Sequence, residues 1–144
     1  MHVVRITAEE THPLRLLVLR PGGTLDDCHW PIDQATDAFH LAVERDGKRI
    51  CIASFQPALH PALPGERSWQ LRGMATHPVH RGIGAGRLLV EQALEELRGL
   101  HADILWCNAR LLALPFYERL GFSTIGPSFE IPGIGTHYVM WRTA

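Results

Sequence analysis

No apolar run in this chain approaches the roughly 20 residues that a membrane-spanning helix needs. The opening residues Met1-His2-Val3-Val4-Arg5 show no signal-peptide pattern. Basic residues are not in excess, and a formal net charge of −1 gives no pull toward nucleic acid. Cysteine is scarce. Cys28, Cys51 and Cys107 are odd in number and lack C-x-x-C spacing, which fits a reduced, cytoplasmic protein. Repeats, linkers and low-complexity segments are missing, so residues 1–144 read as one domain with a single core. Nine histidines occur, yet without an H-E-x-x-H motif or a Cys/His cluster at zinc spacing. No metal is expected, and these histidines read as scattered surface or loop residues.

What is present is a readable series of elements. His2 to Thr7 alternates as a strand does, and Leu14, Leu17 and Val18 give Glu9 to Arg20 a helical stripe that Pro21-Gly22-Gly23 ends. Leu25 to Ala38 is irregular, with room for short helix. Asp46-Gly47 joins strands Phe39 to Arg45 and Arg49 to Phe55 as a hairpin. Trp69 to Thr76 is a strand. Arg87 to Arg98 is an amphipathic helix that Gly99 is expected to stop. Asp103 to Ala109 is a buried strand, and Leu112 to Leu120 a short helix. Strands at Phe122 to Ile125, Phe129 to Ile131 and His137 to Arg142 complete the order β-α-β-β-β-α-β-α-β-β, a mixed α/β sheet.

Between strand Trp69 to Thr76 and the amphipathic helix lies Arg81-Gly82-Ile83-Gly84-Ala85-Gly86-Arg87. Glycines at a strand-to-helix junction expose main-chain N–H groups, and the first N–H groups of a helix lack intrahelical partners and carry partial positive charge. Such a loop suits a phosphate or diphosphate. Ser, Thr, Asp and Asn, which would cap the helix from within, are missing from the loop. A P-loop would need Lys and Ser or Thr after its second glycine, and a dinucleotide loop would need glycine where Arg87 stands. Neither pattern is met, whereas R-x-x-G-x-G is met by Arg81, Gly84 and Gly86.

That last pattern resembles the acetyl-coenzyme A loop of the GNAT family of N-acetyltransferases. A second run, Asn108, Ala113 and Phe116-Tyr117-Glu118-Arg119-Leu120-Gly121-Phe122, looks like a further signature of that family at the right distance. The likeness extends from about Leu71 to Ile125. A narrower likeness, in Leu71-Arg72-Gly73-Met74, Trp106-Cys107-Asn108-Ala109-Arg110 and Gly133 to His137, is to small bacterial members of often unassigned substrate. The resemblance implies a GNAT-like, mostly antiparallel central sheet with a splayed parallel strand pair and flanking helices. It implies acetyl transfer from acetyl-coenzyme A to a primary amine, most simply of a small molecule, by direct attack. Dimers are frequent among similar proteins.

It also implies roles. Residues Arg81, Gly82, Ile83, Gly84, Ala85, Gly86 and Arg87 would hold the coenzyme's diphosphate. Met74, Ala75 and Thr76 would meet its arm and thioester, with Asn108, Ala113 and Phe116 alongside. Tyr117 would serve as general acid to the leaving sulfur. Strand alternation places Gln70, Arg72, Met74 and Thr76 on one face, and Gln70 and Arg72 are assigned to the acceptor. Many GNAT enzymes carry a carboxylate where Gln70 stands, and glutamine cannot take a proton. His137, Glu66 or a water remain as bases, and His137 is the residue assigned. Arg72 suits a substrate carboxylate or phosphate, or else an ion pair within the protein, and Arg15 and Arg20 are weaker candidates for that ligand role. Cys107 reads as packing, not as a nucleophile. The alternative function is a coenzyme A-binding regulatory module without turnover.

Overall fold

Alternating apolar residues and short turns build seven segments of the chain into strands. The computed structural model describes residues 1–144. Seven strands form one sheet in the order β1-β2-β3-β4-β5-β7-β6: β1 His2–Ile6, β2 Phe39–Arg45, β3 Lys48–Pro57, β4 Ser68–Thr76, β5 Ile104–Arg110, β6 Ser123–Ile131 and β7 Gly135–Thr143. The sheet is antiparallel except for one parallel pair, and helices flank it, as the sequence predicts. No helix is long and apolar enough to cross a membrane.

The chain divides into two compact units, residues Met1–Gln56 with Leu71–Glu96, and Pro57–Gln70 with Leu97–Ala144. In the first unit Ile6, Leu14, Ala42, Ile52 and Ala75 form a buried cluster, with Val4, Val18 and Leu19 packed on it. The β2–β3 hairpin turns through Asp46 and Gly47 at φ of 51° and 75°, the left-handed pair that a tight hairpin requires. In the second unit Leu63, Ile104, Trp106 and Val139 are joined by Ile125, Phe129 and Trp141.

Three elements differ from expectation. The first helix is not a regular amphipathic helix. It runs as a 3-10 turn (Glu9–Thr11), a short α-helix α1 (His12–Leu14) and a π-turn (Arg15–Leu19). A π-turn is wider than an α-turn and shifts the side chains that follow it. Helix α2 spans Ala85–Gly99 and includes Gly99; the left-handed residue after it is His101, at φ 60°. The two short strands foreseen after Phe122 are one strand, β6, irregular between Ile125 and Phe129, where Gly126 takes φ 75°. Helix α3, Leu114–Arg119, begins with Pro115 in its first turn and ends before Gly121 at φ 89°.

Candidate active site

The glycine loop owes its shape to backbone conformation. Gly82 and Gly84 take φ of 77° and 87°, where side chains are strained. An added Cβ at either position would meet nothing within 4 Å. Both glycines are therefore set by φ, not by crowding. The first helical bond of α2 is Leu88 N–H to the Gly84 carbonyl at 3.0 Å. The N–H groups of Ala85, Gly86 and Arg87 precede it and have no helical partner. No side chain caps them, and Arg87 turns to Glu91 at 2.8 Å. Residues 81–84 are exposed, while Ala85 and Gly86 are buried. A bare helix N-terminus behind two left-handed glycines is a donor set that fits a diphosphate.

Upstream, Met74 and Thr76 are partly exposed at the end of β4, and Ala75 is buried. Arg81 Nε donates to the Thr76 carbonyl at 3.3 Å, tying loop to strand. Thr76 Oγ1 donates to Cys51 Sγ at 3.3 Å. Burial pushes the Cys51 thiol up to about 11.

The predicted residues divide between the two units. Arg72, Met74, Ala75, Thr76 and Arg81 to Arg87 belong to the first, and Gln70, Asn108, Ala113, Phe116, Tyr117 and His137 to the second. Within the second unit, Tyr117 is buried, with its ring 5.0 Å from Phe116 and 5.3 Å from Phe122. Its hydroxyl donates to Cys107. Burial raises the Cys107 thiol far above the usual range, and that one hydrogen bond does not offset it. A thiol so reluctant to ionise is no nucleophile.

His137 is 4% exposed, its Nδ1 2.8 Å from the Gly135 carbonyl and its ring 5.8 Å from that of Phe129. Engaging Nδ1 as donor leaves Nε2 as the acceptor nitrogen. The register pairs Asn108 with Val139 and Arg110 with His137. Paired residues share a face, and neighbours along a strand alternate. Asn108 and His137 thus lie on one face of the β5–β7 ladder and Cys107 on the other. Tyr117 reaches the ladder through Cys107, so the structure sets the two catalytic candidates on opposite faces.

The first unit holds a network that the sequence did not reveal. Arg15, a weaker candidate for a substrate anion, is instead fully buried and already paired. Its two terminal nitrogens grip both Asp33 oxygens at 2.6 and 3.0 Å, and also reach the Cys28 carbonyl and Ser54 Oγ. Ser54 Oγ lies 2.6 Å from His40 Nδ1. The Arg15 guanidinium stands 3.7 Å from the centre of the Trp30 ring. Trp30 in turn presses on Gly73, which breaks β4 at φ 64° and where a Cβ would come within 2.9 Å of the indole. Pro31 beside Trp30 signals only a loop, so nothing local marks it.

Two histidines, His40 and His137, are buried rather than superficial. Burial is the main cause that lowers the His40 pKa, with Arg15 adding to it against Asp33. The folded state therefore resists a proton that the unfolded chain accepts below about pH 6.5. Stability is expected to fall as pH drops through that value and to level off below the depressed folded pKa. A His40→Gln variant, followed by thermal melts from about pH 7 to 5, should lose less than the wild type.

An open cavity of about 310 Å³ lies in the first unit, lined by residues that include Arg5, Glu9, Asp33 and His40. It contains none of the predicted site residues.

The model of the acetyltransferase (GNAT) family matches residues 7–122. The chain belongs to the GNAT family. This GNAT protein is 39% identical over 143 residues to the uncharacterized N-acetyltransferase YitI of Bacillus subtilis strain 168, covering 99% of the chain and 96% of that relative. Its fold matches Escherichia coli ElaA at TM-score 0.77 and 16% identity, covering 98% of each chain. It also matches an aminoglycoside 6'-N-acetyltransferase complexed with coenzyme A, at TM-score 0.73 and 12% identity, covering 99% and 97%. Identities that low establish fold alone. As a GNAT protein, the chain is an acetyl-coenzyme A-dependent acyltransferase.

Proposed function

We propose that this GNAT protein, working as one domain over residues 1–144, acetylates the primary amine of a small molecule by direct attack on the thioester. The observation that carries the reading is the uncapped N-terminus of α2 behind Gly82 and Gly84. Acetyl-coenzyme A, when bound, supplies the activated acyl group and a thiol as leaving group. Main-chain N–H groups of Gly82 to Arg87, with the Arg81 side chain beside them, hold the diphosphate. Met74, Ala75 and Thr76 offer main-chain partners to the arm, and an N–H there polarises the thioester carbonyl. Asn108, Ala113 and Phe116 line the rest of its course.

Tyr117 gives a hydrogen bond or proton to the departing sulfur. In the resting protein its hydroxyl is bonded to the Cys107 sulfur, from which it would turn to the departing thiolate. His137 takes the amine proton through Nε2, and Gln70 and Arg72 face the acceptor. In this reading the two residues serve separate proton transfers, Tyr117 to the sulfur and His137 from the amine.

Replacing Tyr117 with Phe is expected to lower kcat on the order of 100-fold while leaving the Kd for coenzyme A unchanged. Cys107→Ala, which removes only the resting partner of the hydroxyl, should keep kcat within about threefold of wild type. Rates for Tyr117→Phe equal to wild type would remove the assignment. Coenzyme A binding with no transfer across a broad amine panel would favour a binding module without turnover.

A further inference from the structure

Three guanidinium groups converge on one indole. From the Trp30 ring centre, Arg15 lies at 3.7 Å, Arg72 at 5.3 Å and Arg20 at 5.8 Å. The carboxylate among them, Asp33, has both oxygens on Arg15, and both side chains are nearly sealed from solvent. Arg20 gives a nitrogen to the Leu19 carbonyl at 2.9 Å. Arg72 makes neither a hydrogen bond nor an ion pair, so the internal ion pair foreseen as one reading of it does not form. Its nitrogens are not among the sealed unpartnered atoms, so they reach solvent.

This is an unusual condition for an arginine. A planar fork of donors is held partly buried, against an aromatic face, with two like charges beside it. Burial works against its charge, Arg15 and Arg20 add to that, and Asp33 opposes them from beyond ion-pair distance. Such a group gains most from an anion that arrives from outside and fills the fork at two points. Its place on β4 matters too. Arg72 and Met74 flank Gly73, whose φ of 64° interrupts the extended backbone, so the two lie no more than about 7 Å apart along the chain, and an anion on Arg72 would lie a few bonds from an amine at the thioester.

We propose that the acceptor is a small amine that also carries a carboxylate, and that Arg72, flanked by Arg20 and backed by Trp30, holds that carboxylate. A single free fork matches two carboxylate oxygens, whereas a phosphate dianion would use more donors than Arg72 supplies. The proposal rests on the acetyltransferase reading of the same strand and adds Trp30 and Arg20 to the acceptor side.

The test uses free amino acids, each paired with its carboxamide, together with phosphoethanolamine and spermidine. Initial rates are measured with acetyl-coenzyme A, and binding by calorimetry to protein saturated with coenzyme A. The best amino acid should exceed its carboxamide by about 10- to 100-fold in kcat/KM. In Arg72→Gln, KM for that acid should rise by the same factor. KM for the carboxamide and Kd for coenzyme A should stay within about twofold. The variant should melt no lower than wild type, because it removes a crowded, unpaired cation. Carboxamides equal to their acids would overturn the proposal, as would preference for phosphoethanolamine or spermidine, or amino acids that neither bind nor react. A lower Tm with both KM values raised equally would make Arg72 structural and overturn it as well. Coenzyme A that fails to bind at all overturns the acetyltransferase reading, and the calorimetry with coenzyme A alone isolates that result.

Discussion

Replacing Gly84 with Val is expected to weaken coenzyme A binding by at least about 100-fold while the protein stays folded. Two effects act together. A β-branched residue at φ 87° is strained, and the strain is relieved by turning the peptide planes that aim the loop's N–H groups. The new side chain also extends into the open space on the solvent side of the loop. Each charge-assisted hydrogen bond to a phosphate contributes about 1.5–3 kcal/mol, so misaiming two of them costs 100-fold or more in affinity. Stability should suffer by only about 1–2 kcal/mol, since no neighbour is displaced. Gly47, in the β2–β3 turn, shares the left-handed φ and the open surroundings. A Gly47→Val variant should carry similar strain and bind coenzyme A as wild type does. Calorimetry on both variants separates loss of the site from loss of the fold; equal affinities would contradict the assignment of the loop.

The second large effect concerns Asp33. Its carboxylate is the charge partner of a guanidinium with no exposure, and both members of the pair are sealed by their surroundings. Asp33→Ala leaves that guanidinium buried without a counter-charge, for which the expected cost is about 3–5 kcal/mol. Most domains have only about 5–15 kcal/mol in hand, so the melting temperature should fall by roughly 10 °C or more. Replacing the pair together, Arg15→Met with Asp33→Leu, should recover much of this, because apolar residues need no desolvation. A single variant that melts like wild type would show that Arg15 finds water or another partner. The double variant should also disturb acceptor binding, since Arg15 supports Trp30.

The features legible in the sequence are the local ones. The glycine loop, the apolar stripe of α2, the Asp46-Gly47 turn and the strand order each depend on residues near one another in the chain. What stayed hidden depends on distant partners. Arg15 is a polar residue on a helical segment, and only Ser54, 39 residues away, with Asp33 and the Cys28 carbonyl, explains its burial. Trp30 acquires meaning from Gly73, 43 positions on in the chain, which the strand pattern counts as an ordinary strand residue. Gly99 was the obvious helix stop by propensity. The chain instead closes α2 two residues later, with His101 N–H on the Arg98 carbonyl and Ala102 N–H on that of Leu97. The opposed faces of Tyr117 and His137 follow from the β5–β7 register, which only long-range pairing determines.

Diphosphate binding at the bare N-terminus of α2 is carried by main-chain N–H groups, and amide resonances report on them directly. In an ¹H–¹⁵N correlation spectrum titrated with coenzyme A, the amides of Gly82, Gly84, Ala85, Gly86 and Arg87 should move most. Pantetheine, which lacks the diphosphate, should leave them in place. Loop amides that stay fixed while coenzyme A saturates the protein and shifts resonances elsewhere would contradict that placement of the diphosphate.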